Sequence, residues 1–157
     1  MQPKNDSSLN SEQKNALVEL CKVITDDLKI DKFNIQDEVV RTPNLFSKYL
    51  SIYNEEKVKL RHMEKRYKDV YITRREYYLG RWPDDKYTIE SPRLDKAVLR
   101  QDVDKILEGD SVMQSYKDKM FYQEHIIDII ERTLIEIKQR SYYLRIIQDN
   151  LRFESGQ

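Results

Sequence analysis

The sequence predicts an all-α protein built from long amphipathic, coiled-coil-like helices that need helical neighbours. Three observations point there. The 157 residues contain only three Gly and four Pro, and the stretches between them are rich in Lys, Glu, Leu, Ile, Arg and Gln, which favour helix. Apolar residues recur at heptad spacing over two segments much longer than an ordinary globular helix. Apolar residues make up only 39% of the chain and the mean hydropathy is −0.81, so a large private core is not expected and long helices need neighbours.

Residues 1–9 are polar and are expected to be disordered. Asn10 or Ser11 is placed to cap a first helix whose apolar residues are Leu17, Leu20, Val23, Ile24 and Leu28. A short apolar piece follows between Phe33 and Val40. Residues 1–40 hold five basic and eight acidic residues and are taken as a mildly acidic N-terminal region, with 42–157 as a second, helical region.

Thr42-Pro43 reads as a helix start, a capping Thr before Pro at the first helical position, and Gly80 as a helix stop. The predicted helix spans 42–80. Its heptad sites are Phe46, Tyr53, Leu60, Tyr67 and Arg74, alternating with Tyr49, Glu56, Met63, Val70 and Tyr77, a seam with a polar flaw at Glu56. At 1.5 Å per residue, its breaker-free stretch would be roughly 54 Å long, so it is expected to pack on a second long helix or another subunit.

Residues 81–93 form the irregular connector, with Pro83 and Pro92 opposing helix. Helices are then predicted over 94–108, closed by Gly109, and over 110–154, capped by Asp110 or Ser111. The last helix carries apolar residues or Tyr at nine of twelve heptad sites, from Met113 to Leu151, with Ile126, Ile129, Tyr143 and Ile147 widening the stripe. Such width favours burial against two neighbours, and Ile126, Ile127, Ile130, Leu134, Ile137, Leu144, Ile147 and Leu151 are the candidate oligomerisation residues. A monomeric helical bundle is the other architecture this pattern allows.

No catalytic constellation is legible. There is no GxxxxGK[ST] loop, and three scattered glycines build no phosphate cradle. His62, His125 and Cys21 are too few and too far apart for structural zinc. Acid pairs such as Asp26-Asp27 and Asp84-Asp85 are expected by chance among 28 acids. The chain is read as a non-enzyme without cofactor or metal. One cysteine excludes an internal disulfide framework and fits a reducing compartment. No uncharged apolar run approaches the ~18 residues of a membrane span, and the polar start does not resemble a signal peptide. A soluble intracellular protein with no membrane association is expected.

Charge is segregated instead. The chain is neutral, with 28 basic and 28 acidic residues, yet residues 57–81 hold nine Lys/Arg against three acids, with four tyrosines among them. Cations follow phosphates and rings stack on unpaired bases, which suits single-stranded nucleic acid. A merely solvated helix face is the competing reading. The candidate phosphate contacts are Lys57, Lys59, Arg61, Lys65, Arg66, Lys68, Arg74, Arg75 and Arg81. Lys57, Arg61, Lys68 and Arg75 recur at four and seven residues and are favoured as one stripe with Arg74. Tyr71 and Tyr78 are the preferred stacking residues, because Tyr67 and Tyr77 fall on the seam.

The run Tyr71-Ile72-Thr73-Arg74-Arg75-Glu76-Tyr77-Tyr78-Leu79-Gly80-Arg81 resembles a stretch of the UvsY family of phage recombination mediators, Leu-Lys-Ala-Arg-Leu-Asp-Tyr-Tyr followed two residues later by Gly-Arg. The C-terminal residues Ile137-Lys138, Arg140, Ile147-Gln148-Asp149, Arg152-Phe153-Glu154 and Gly156 resemble the family's tail, and 45–50 and 96–99 are also similar. The resemblance covers about residues 45–157. It implies a ring-like homo-oligomer, heptameric in the family, that binds single-stranded DNA. Such a mediator loads a RecA-like phage recombinase onto strands covered by the phage single-strand-binding protein, in the cytoplasm of the infected bacterial host. It places DNA-binding residues in a Lys-x-Arg motif, whose Arg falls on Arg74 and whose Lys falls on Ile72. It places oligomerisation in the C-terminal part. A structural coiled-coil phage protein, an assembly chaperone or scaffold without DNA binding, is the alternative.

Overall fold

The computed structural model describes residues 10–154 and 156; the expected disorder of residues 1–9 concerns positions outside that range. The described residues form four α-helices, α1 (Ser11–Leu28), α2 (Ile35–Tyr78), α3 (Val103–Glu108) and α4 (Ser111–Glu154), with one 3-10 turn at Asp84–Lys86. Tertiary contacts group them into two compact units. The first takes residues up to 58 together with those from 122 onward, and the second takes 59–121.

In the first unit, α1 starts on a capping box. The Asn10 side chain accepts from the Gln13 backbone N–H at 2.8 Å, and Gln13 Oε1 accepts from the Asn10 N–H at 3.1 Å. The core joins Ile24 of α1, Leu45 and Tyr49 of α2, and Ile130, Leu134 and Ile137 of α4. The apolar stripe of α4 is therefore spent within the chain. Ile127, Ile130, Leu134, Ile137 and Leu144 are buried, Ile126 and Ile147 are half-buried, and only Leu151 of the predicted oligomerisation set is exposed. A residue already enclosed by its own unit offers no surface to another copy. The wide stripe reflects two intramolecular partners, α1 and α2.

Among the described residues, most of the buried polar atoms in this unit find partners, Arg140 Nε being without one. Tyr49 and Lys48 both donate to Asp27 Oδ2, at 2.8 and 2.6 Å. The hydrogen bond from Lys48 holds the Asp27 carboxyl below its ordinary value against the opposing effect of burial, with Tyr49 adding to it. Arg140, 3% exposed, donates to the Leu28 carbonyl at 2.6 Å, to the Lys29 carbonyl at 3.2 Å and to the buried Glu38 carboxylate. It satisfies carbonyls left open at the end of α1 and ties them to the start of α2. The flaw expected at Glu56 meets a polar seam residue of α4: Gln123 Nε2 donates to Glu56 Oε2 at 2.6 Å and to its carbonyl at 3.1 Å.

Two element boundaries differ from expectation. Helix α2 begins at Ile35, so it runs through the boundary placed at 40–42, and Pro43 lies inside it. Thr42 is no cap; its hydroxyl donates back to the Glu38 carbonyl at 2.9 Å, the bond of a residue already within a helix. The Asn34 carbonyl accepts from the Glu38 N–H at 3.1 Å and opens the helix there. The helix predicted over 94–108 shrinks to α3, six residues long. Upstream, the Val98 N–H donates at 2.8 Å to the Tyr78 carbonyl at the end of α2, a tertiary bond that takes the donor a local helix would need.

The second unit confirms the stop at Gly80, where φ is +67°. The Gly80 N–H donates to the Tyr77 carbonyl at 2.9 Å and the Arg81 N–H to the Glu76 carbonyl at 3.0 Å, the two bonds of a Schellman end. A Cβ at Gly80 would also lie 3.2 Å from the Ala97 Cβ. The core here joins Val103, Leu107 and Met113, with Tyr67, Val70, Tyr71, Tyr78, Leu79 and Val98 packed against it. Tyr77, Trp82 and Tyr87 form an aromatic cluster, with ring centroids 4.9 Å apart for Tyr77–Trp82 and 5.8 Å for Trp82–Tyr87. Tyr77 donates to the Pro92 carbonyl at 2.8 Å and Trp82 to the Thr73 carbonyl at 3.0 Å, which fastens the connector to α2.

Candidate nucleic-acid interface

The second unit carries fifteen Lys/Arg against twelve Asp/Glu in a chain that is neutral as a whole. Its cations divide by what they touch. Lys59, Arg61, Lys65, Arg66 and Lys68 are exposed on α2. Arg81 is exposed beside Glu76 at 3.6 Å, and Arg75 is half-buried. In the first unit, Lys57 is exposed, with its Nζ 5.4 Å from the Tyr53 ring centre.

Arg74 is of a different kind. Its side chain is 16% exposed and is paired with Asp110, whose side chain is 1% exposed. Arg74 Nε and Nη2 donate to Asp110 Oδ2 at 2.9 and 2.5 Å, and the Tyr78 hydroxyl donates to the same oxygen at 2.7 Å. The other oxygen, Oδ1, accepts from the backbone N–H groups of Val112 and Met113 at 2.9 and 3.0 Å. Asp110 is thus the N-cap of α4, and Arg74 balances its charge. The guanidinium also lies 4.8 and 5.3 Å from the Tyr77 and Tyr78 ring centres.

Burial alone would raise the Asp110 carboxyl, but hydrogen bonds from Tyr78, Arg74 and the Met113 N–H hold it below its ordinary value. Burial, followed by the bond to Asp110, raises the Tyr78 hydroxyl. Burial favours the neutral form of Arg74, and the bonds and charge of Asp110 outweigh it, so the guanidinium is held more firmly protonated. The residue on which the motif's arginine falls is therefore engaged inside the protein, and it positions the α2–α4 junction of this unit.

Tyr71 and Tyr78, the expected stacking residues, are half-buried with rings in the second core and hydroxyls committed to carboxylates. Tyr71 donates to Asp104 at 2.6 Å, and that bond pushes the hydroxyl's pKa above its ordinary value and holds it protonated. The structure brings together on one helix the exposed cations Lys59, Arg61, Lys65, Arg66 and Lys68, and turns Arg74, Tyr71 and Tyr78 inward. It also adds Arg100, which shares an open cleft of about 510 Å³ with Arg75, Leu99 and Gln101. No spacing rule points to Arg100, because local signals favour helix over 94–108 and its placement depends on the Val98–Tyr78 bond.

Among the described residues no group of three or more His, Cys, Asp or Glu is arranged to hold a metal, and no helix is long and apolar enough to cross a membrane.

The family model described as "Recombination, repair and ssDNA binding protein UvsY" matches residues 23–157. The chain belongs to the UvsY family. The recombination protein UvsY of Enterobacteria phage T4 is 26% identical over 140 residues, covering 89% of this chain and 98% of the relative. Two crystal structures of the bacteriophage T4 recombination mediator protein UvsY, of lattice types II and IV, align with TM-scores of 0.74 and 0.75. Their identities are 24% and 23%, and the alignments cover 88% and 87% of this chain and 97% and 98% of theirs; at that level the likeness establishes a shared fold. The family match extends upstream of the C-terminal resemblance read from the motifs and takes in the last part of α1.

Proposed function

We propose that this UvsY-family chain is a non-catalytic recombination mediator that binds single-stranded DNA through the exposed cations of α2. In this reading it loads a RecA-like recombinase onto strands covered by single-strand-binding protein, in the cytoplasm of the infected host. The observation that carries it is the row of solvent-facing Arg61, Lys65, Arg66 and Lys68 in the basic unit of a neutral chain. Such a surface neutralises phosphates without reading bases, so binding is expected to be tight, sequence-tolerant and sensitive to salt.

Action as a homo-oligomer, a ring of the heptameric kind implied by the resemblance, is part of the same proposal. Its support lies on a different face of α4 from the buried stripe of Ile127 to Leu144. Ile135, Tyr142, Ile146 and Phe153 are 49, 65, 40 and 89% exposed and follow one another at seven, four and seven residues, the spacing of a coiled-coil seam.

The test is a titration of labelled oligothymidylate at several salt concentrations. Arg61→Ala with Lys68→Ala is expected to weaken binding and to reduce the slope of log affinity against log salt by about 1.4, from about 0.7 per phosphate on a single strand. Wild-type affinity that does not change with salt defeats the interface and favours a purely structural role. The loading step is checked by whether the chain restores single-strand-dependent ATP hydrolysis by the recombinase on protein-covered DNA.

A further inference from the structure

We infer that Arg75 and Arg100 form a two-arginine clamp for one phosphodiester of the bound strand, extending the path of the DNA from α2 onto the 99–101 segment. The inference rests on the interface proposed above and adds to it a site that departs from the helix. Arg75 is half-buried on α2 and Arg100 is exposed just before α3, 25 positions later, and both line the open cleft of about 510 Å³ together with Leu99 and Gln101.

Neither guanidinium is occupied. Among the described residues the side chains of Arg75 and Arg100 make no hydrogen bond and no ion pair, whereas the neighbouring Arg74 donates to Asp110 and Arg81 sits beside Glu76. A partly buried cation that lacks an acceptor has lost hydration without a protein counter-charge. A second cation in the same cleft adds repulsion, which an anion held by both removes. Asp104, which together with Arg75 acts on the Tyr71 hydroxyl, has its carboxylate Oδ1 engaged by that hydroxyl at 2.6 Å.

The chemistry of the cleft suits a phosphodiester. Two planar guanidinium groups match the oxygens of one phosphate by paired N–H bonds. The Gln101 amide offers a further donor, and Leu99, 65% exposed, offers an apolar surface for a sugar or base edge. Arg61, Lys68 and Arg75 are seven residues apart along α2, so a strand following that row meets the cleft at its last member. A base-reading role is not implied, since nothing in the cleft presents a fixed pattern of donors and acceptors.

The experiment compares wild type, Arg100→Ala, Arg100→Lys and Arg132→Ala in the same oligothymidylate titration across a salt series, with helix content checked by circular dichroism. Arg132 is exposed, pairs with Asp128 at 3.0 Å and lies in the first unit, so it controls for a general change of charge. The clamp predicts that Arg100→Ala lowers the salt slope by about 0.7, one phosphate contact. Arg100→Lys should keep the slope with weaker binding, because the ammonium cannot bond in a fork, and Arg132→Ala should behave as wild type. Inorganic phosphate added at constant ionic strength should compete weakly with the strand in wild type and less in Arg100→Ala; competition as strong as that of an oligonucleotide would mark a free-phosphate site and overturn the strand assignment. An unchanged slope in Arg100→Ala, or an equal loss in Arg132→Ala, overturns the clamp while leaving the α2 interface standing. Salt-independent binding by wild type defeats both.

Discussion

Replacing Arg74 by Ala separates a structural arginine from a DNA contact. In the folded chain its guanidinium makes two bonds to an Asp110 oxygen, at 2.9 and 2.5 Å, and packs against two tyrosine rings. Removing one partner of a buried pair costs about 3–5 kcal/mol, because the remaining charge is left in a poorly solvated place. Asp110 keeps the Tyr78 hydroxyl and the N–H groups of Val112 and Met113, so the lower end, about 3 kcal/mol, is expected. Against a total stability of about 5–15 kcal/mol for a chain of this class, the midpoint of urea unfolding should fall clearly. The unfolding is followed by circular dichroism at fixed protein concentration, because any oligomer makes stability concentration-dependent. The same variant is then titrated with oligothymidylate under conditions where it remains folded. The salt slope should match wild type, since Arg74 spends its bonds inside the protein. A variant of wild-type stability whose slope is flattened by one contact would refute the reasoning and return Arg74 to the DNA surface.

Two further outcomes follow from the same geometry. The Asp110 and Asp27 carboxyls are held below their ordinary values, so their ionised forms contribute stability above the unfolded aspartate value of about 3.9. That contribution is lost as pH falls through the folded values, so unfolding midpoints should drop below about pH 4, and Asp110→Asn, which keeps an N-cap but leaves Arg74 without its counter-charge, should start lower and lose less on acidification. Ile146→Ser with Phe153→Ser should lower the mass measured by light scattering with little loss of protomer stability, whereas Ile130→Ala, at a fully buried position, should cost about 2–5 kcal/mol; an unchanged mass for the double variant would place the assembly surface elsewhere.

Helix ends marked by local chemistry can be read directly from the order of residues. Asn10, Gly80, Gly109 and Asp110 terminate or cap helices because the required bonds lie within a few residues of each, and a sequence records such neighbours. Thr42-Pro43 misleads for an instructive reason. Its residues fit a helix start equally well, but the turn opened by Asn34, together with the packing of Leu45 and Tyr49 against α1 and α4, keeps residues 35–42 helical through the proline. The helix expected over 94–102 gives way similarly, to a bond between Val98 and the far end of α2.

An all-α chain with two long helices and a segregated basic block follows from composition, breaker placement and period, which are properties of a string. Which apolar residues face their own chain, and which cations face water, depends on tertiary packing. Ile130 and Ile135, or Arg74 and Arg66, are the same residue types a short way apart on one helix, yet one member of each pair is enclosed and the other is exposed. The physical reason is that a helix spreads its side chains around a full circle, and only the position of its neighbours says which arc is dry. Asp110 drew Arg74 inward because a helix cap whose side chain is only 1% exposed needs a counter-charge, and that need arises between residues 36 positions apart.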